Sequence, residues 1–156
     1  MENNYSPEFL GEAPIKKGAP YPATFAKESE HSHQVALMAW ANLPPVREAF
    51  PELRWFHAIG NGGSRGDTAQ SRRIEGGKMK AEGVKPGVSD TMLPVRRGEF
   101  PGFYIELKKM PGAGVGPSDE QLEFGEFVQS QGYAFMVCYG WREARDMLIA
   151  YLTQKW

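Results

Sequence analysis

Along most of the chain, apolar residues recur either at helical spacing or in short runs rich in β-formers. The first 27 residues do neither. Residues 1–27 hold Pro7, Pro14, Pro20 and Pro22 together with Gly11 and Gly18, which predicts an extended N-terminal arm ahead of a single domain over 28–156. From Ser29 to Asn42 the spacing of Val35, Met38 and Ala39, with Leu37 and Trp40 beside them, predicts a helix. Pro44-Pro45 ends it, and a short helix or turn follows around Val46–Phe50. Leu53 to Ile59 reads as a strand, and Gly60 to Gly66 as a glycine-rich loop. Asp67 to Lys80 is helical in pattern, capped by Asp67 or Thr68 and weakened by Gly76-Gly77. Gly83 to Gly87 is a turn.

Two further strands are predicted at Val88–Val95 and Phe103–Lys108, the second a clean alternation of Phe-Tyr-Ile-Glu-Leu-Lys. Met110 to Pro117 is a loop. Ser118 with Gln121 three residues on forms a capping-box signature. It opens a helix that turns Leu122, Phe124 or Gly125, and Val128 inward and closes at Gly132. Ala134–Tyr139 is a buried strand. Trp141–Leu152 is a last amphipathic helix with Ala144, Met147, Leu148 and Tyr151 on its apolar side. The order implies an α/β fold with a four-stranded mixed sheet flanked by helices.

Chemistry concentrates on the third strand. Residues i and i+2 of a strand share a face, so Glu106 and Lys108 project together while Ile105 and Leu107 point to a core. A carboxylate and an ammonium on one face of an interior strand are costly unless paired or ion-bound. A hairpin through Arg97–Gly102 is short enough to bring Asp90 alongside Glu106. Two carboxylates and a lysine suit metal-assisted phosphodiester hydrolysis: hard oxygen ligands, a metal-acidified water, and a cation that orients the water or stabilises the pentacovalent state. The same residues also fit a surface ion pair on an edge strand and a turn-forming Asp. Their pattern alone leaves both readings open.

In these motifs the sequence resembles the VRR-NUC (virus-type replication-repair nuclease) branch of the PD-(D/E)XK nucleases. The likeness runs through Gly83-Val84-Lys85-Pro86-Gly87-Val88-Ser89-Asp90, Tyr104-Ile105-Glu106-Leu107-Lys108-Lys109, Ser118-Asp119-Glu120-Gln121 and Gly132-Tyr133-Ala134. Upstream it takes in Ser29–Gln34 and Ile59–Arg65, so that residues 28–152 are covered in order. The resemblance implies a restriction-endonuclease-like core in which Asp90 and Glu106 ligate Mg²⁺ or Mn²⁺ and Lys108 is the catalytic lysine. Glu30 would complete the acidic site directly or through water, with Gln34 one turn on as the other candidate. Gln121 would stand at the mouth of the site, touching a water or the phosphate. Ser89 replaces the proline usual before the Asp, a change in turn rigidity and not in ligand count. Short stand-alone members of the branch look like phage or viral proteins that form homodimers and cut branched DNA such as Holliday junctions. Two sites related by a two-fold axis suit that substrate.

Charge now gains meaning. The net charge is −1, yet residues 58–112 hold ten Lys or Arg against six Asp or Glu, a balance of +4, which leaves −5 for the rest. Arg65, Arg72, Arg73, Lys78, Lys80 and Lys85 precede the catalytic strands and are expected to rim the site, meeting phosphates without regard to sequence.

Other classes fit less well. No apolar run approaches the roughly 20 residues of a membrane span. The polar start Met1–Tyr5 does not read as a signal peptide, and the single Cys138 suits a reducing compartment, so a cytoplasmic protein is expected (the bacterial host's cytoplasm if phage-encoded). A zinc site from His31, His33, His57 and Cys138 is disfavoured, because residues two apart on a helix point to different sides. Gly60–Ser64 lacks the Gly-Lys-Ser/Thr end of a P-loop. The remaining alternative is a non-catalytic DNA-binding module on a nuclease fold.

Overall fold

The computed structural model describes residues 29–60, 69–111 and 116–155. The N-terminal arm, most of the glycine-rich loop with Arg65, and the cap at Asp67 or Thr68 lie outside the described residues. Two compact units are distinguishable, one from residues 29–54, 107–111 and 138–155, the other from 55–60, 69–106 and 116–137.

The first unit is helical. Helix α1 (Glu30–Ala41) is capped by the Ser29 hydroxyl, which accepts the Ser32 N–H. Its buried face is His33, Leu37, Trp40 and Ala41, a 3.6-residue repeat that begins with a histidine. The stripe expected from the sequence is centred elsewhere: Val35 is exposed, because the apolar pattern misses a buried polar residue. Pro44-Pro45 begins helix α2 (Pro44–Ala49) at positions that need no N–H. Helix α5 (Trp141–Thr153) packs on α1. Its buried residues are Ala144, Arg145, Leu148, Tyr151 and Leu152. Met147 is only half-buried. Arg145 takes the inward position, paired with Asp146 at 2.8 Å.

The second unit holds strands β1 (His57–Ala58) and β2 (Thr91–Leu93) and helices α3 (Ala69–Ala81) and α4 (Asp119–Ser130). Strands β3 (Phe103–Lys108) and β4 (Ala134–Tyr139) run through both units. The sheet order is β1-β2-β3-β4. β1–β2 and β2–β3 are antiparallel. Ala134 N–H donates to Gly102 C=O at 3.0 Å and Gly140 N–H to Lys108 C=O at 2.9 Å. Both partners advance together, so β3 and β4 are parallel and the sheet is mixed.

Two strands differ from expectation. Leu53–Ile59 is not one strand: Pro51–Trp55 forms a 3₁₀ turn and β1 keeps only two residues, both exposed. Short edge strands of this kind resist unwanted pairing. β2 is three residues long, cut by the positive φ of Gly87 and by Pro94. On α4, Gly125 and Val128 are buried but Leu122 is exposed. The inward face is Gln121, Phe124, Gly125 and Val128, with a glutamine where an apolar residue was expected.

Candidate active site

The site begins with the register of β2 on β3. Thr91 pairs with Ile105, Met92 with Tyr104 and Leu93 with Phe103. One step further, Asp90 falls opposite Glu106. Its backbone keeps to the sheet there, since its C=O accepts the Ile59 N–H at 2.8 Å, continuing the β1–β2 ladder. Directly opposed residues share a face, with Cβ atoms about 4.5–5.5 Å apart. Continued one step past β2, this register would set Asp90 beside Glu106 on the face that carries Met92 and Tyr104. Thr91, Leu93, Phe103 and Ile105 fill the other face, all buried.

A bulge makes this so. Near the hairpin tip, Arg97 bridges Phe100. Between that bridge and the Leu93–Phe103 pair lie three residues (94–96) on one side and two (101 and 102) on the other. Counted from the tip without the extra residue, Asp90 would meet Leu107 and face the wrong way.

Glu106 is 1% exposed. Gln121 Nε2 donates to its Oε1. The same face of α4 sets Phe124 edge-on against Tyr104, with ring centroids 5.4 Å apart. It also lays Gly125 on the Phe135 ring, where a Cβ would come within 2.4 Å. Two residues along β3 from Tyr104 is Glu106, and three back along α4 from Phe124 is Gln121, so aromatic packing delivers the carboxamide to the carboxylate. Tyr133 also meets Tyr104 edge-on, with ring centroids 5.4 Å apart, and burial there, with the neighbouring Tyr133, pushes the Tyr104 phenol above its ordinary pKa.

The turn before Asp90 is fitted to the same helix. Gly87 has φ +82°, and a Cβ on it would lie 2.5 Å from the Glu120 carbonyl oxygen. Only glycine satisfies both the left-handed backbone and that approach. The turn itself was legible in the sequence, but this contact was not, because nothing local signals a partner more than 30 residues away.

Lys108, two residues beyond Glu106 on β3, is 6% exposed. Within its own unit, its Nζ lies 3.9 Å from Glu30 Oε1 on α1, and its C=O is held by Gly140 N–H. His33, one turn along from Glu30, is buried beside Gly140, and Met110 Sδ occupies the space a Cβ on Gly140 would need, 2.6 Å away. His33 thus packs beside Gly140, just past the end of β4, a place that sequence reading missed because a buried histidine breaks the apolar pattern. Gln34, the other helical candidate, is half-buried. The structure brings Gln121 to Glu106 in one unit and Glu30 to Lys108 in the other.

Among the described residues no three His, Cys, Asp or Glu side chains gather into a metal-ready group. The donors that the register would bring together on the β2–β3 face are the carboxylates of Asp90 and Glu106. That set fits Mg²⁺, which uses one or two carboxylates and keeps several waters and phosphate oxygens. Cys138 is buried, and burial with the nearby Glu143 pushes its thiol up.

Of the basic candidates, Arg72, Arg73, Lys78 and Lys80 are on α3 and Lys85 follows it. Lys78, Lys80 and Lys85 are exposed. No helix among the described residues is long and apolar enough to cross a membrane.

No protein-family model and no curated protein matches the chain. Among solved structures it is similar to a VRR_NUC domain protein, with a TM-score of 0.63 and 24% identity over 81% of this chain and 89% of that one. The likeness is one of architecture, and it establishes that this chain is built on the same fold as that VRR_NUC domain protein.

Proposed function

We propose that this protein is a Mg²⁺- or Mn²⁺-dependent DNA endonuclease of the VRR-NUC type, acting on branched DNA such as Holliday junctions as a homodimer in the cytoplasm. The observation that supports the reading is the β2–β3 register, with Thr91 opposite Ile105, whose next step would set Asp90 opposite Glu106; Lys108 lies two residues further along β3. Asp90 and Glu106 would hold the cation, and Glu30 would act at the Lys108 side of the site, directly or through a water. When bound, the metal supplies an acidified water and neutralises charge on the phosphate. The chain's own groups do the rest. Lys108, with its long stem buried, presents one ammonium that orients the water or meets the developing oxyanion. Gln121 fixes one oxygen of Glu106, so the carboxylate meets a ligand in a single rotamer.

The expected assay result is cleavage of four-way junction or flap DNA with Mg²⁺ or Mn²⁺ and none with EDTA. Metal-dependent binding without cleavage would favour the non-catalytic module. The single domain over 28–156 and its arm belong to the same proposal.

The α3 region supplies the phosphate contacts in this reading. Residues 69–81 carry four Lys or Arg against one Glu. Changing Arg72 and Arg73 together to Ala is expected to weaken DNA binding and to reduce the slope of log K against log salt by about 2, since each phosphate no longer neutralised lowers it by about 0.9. An unchanged slope would remove α3 from the DNA face.

A further inference from the structure

Gln121 takes part in two hydrogen-bonded systems at once. Its Oε1 accepts the main-chain N–H of Ser118 at 2.9 Å, while its own main-chain N–H is directed to Ser118 Oγ at 3.4 Å. Its Nε2 donates to Glu106 Oε1. A carboxamide has one accepting and one donating end. An end flip would set its oxygen against the oxygen of a buried carboxylate, and would leave the Ser118 N–H facing an NH₂ group. We propose that the capping box of α4 is a latch for the site. Ser118, remote from the reacting atoms, is a positioning residue that fixes which end of Gln121 meets Glu106. The proposal rests on the nuclease reading only for its consequence in catalysis, since the latch itself is a matter of hydrogen bonds.

The geometry explains why a cap is placed here. Phe124, Gly125 and Val128 seat α4 on the sheet, but Gln121 lies in its first turn, where helices fray and no earlier turn supports the side chain. The reciprocal bonds with Ser118 supply that support. Loss of the N-cap is expected to lower the population of the latched state roughly fivefold, the equivalent of the usual cost of removing such a cap.

The test uses the full chain, ¹⁵N-labelled, and the side-chain NH₂ resonances of Gln121. In the parent protein one NH₂ proton should be shifted downfield by the carboxylate. That signature should disappear in Glu106→Gln, fade in Ser118→Ala, and return in Ser118→Thr, which keeps the hydroxyl. In cleavage assays, kcat should fall roughly fivefold in Ser118→Ala with KM for DNA unchanged, and recover in Ser118→Thr. Identical Gln121 resonances in all three Ser118 forms would overturn the proposal. A signature that follows Ser118 in a protein that cuts no DNA would uphold the latch and defeat the nuclease reading instead.

Discussion

Asp90→Asn is expected to cut metal-dependent cleavage by at least about a hundredfold while leaving the protein folded. Asn is nearly the same size, and the structural work of this residue is done by its main chain, whose C=O accepts the Ile59 N–H. Asp90 is half-buried, not deep in the core, so exchanging a charge for an amide opens no cavity. What is lost is one of two opposed carboxylates that would share a cation. Even groups one shell further out from a metal change activity by roughly 10–100-fold, and a direct ligand should exceed that. Single-turnover rates beside a thermal melt check both halves. Cleavage near the parent rate would place the chemistry elsewhere.

The second large effect lies outside the chemistry. Gly87→Ala puts a Cβ on a residue at φ +82° and within 2.5 Å of the Glu120 carbonyl oxygen. The left-handed conformation alone costs about 1–2 kcal/mol. The clash is with backbone, which cannot swing aside like the end of a long side chain, and overpacking of this sort costs roughly 1–3 kcal/mol. Together, about 3 kcal/mol lowers Tm by about 6–12 °C for a domain of this size. Activity should fall further than stability explains, because the turn leads to Asp90 and Glu120 precedes Gln121. A variant with unchanged Tm and unchanged cleavage would show that turn and helix do not meet as described.

Legibility in the sequence tracks how local each feature is. β3 is readable to the residue because six alternating side chains announce it. The cap of α4 is readable because Ser118 and Gln121 are three apart. The lengths of β1 and β2 are not, since apolar runs such as Leu53–Ile59 look alike whether they form a strand or a 3₁₀ turn. The buried face of α1 is misplaced because His33 supplies no apolar signal. Most telling is the register that would set Asp90 opposite Glu106. Sequence says that a hairpin brings the two strands together, but a single bulged residue at 94–96 decides which face Asp90 takes, and no residue in Pro-Val-Arg advertises it. The approach of Gly87 to α4 and that of Gly140 to Met110 likewise depend on partners distant in sequence. The roles proposed for Glu30 and Gln121 come from the resemblance alone; pattern would leave them as a helix-start acid and a capping residue.

Catalysis in this reading turns on two acids sharing one cation. Titration calorimetry of Mn²⁺ into the purified protein, into Asp90→Asn and into Glu106→Gln, without DNA, tests it most directly. Binding to the parent chain that weakens at least about tenfold in each variant, with melts preserved, is the predicted result. Equal Mn²⁺ affinity in all three proteins would contradict it.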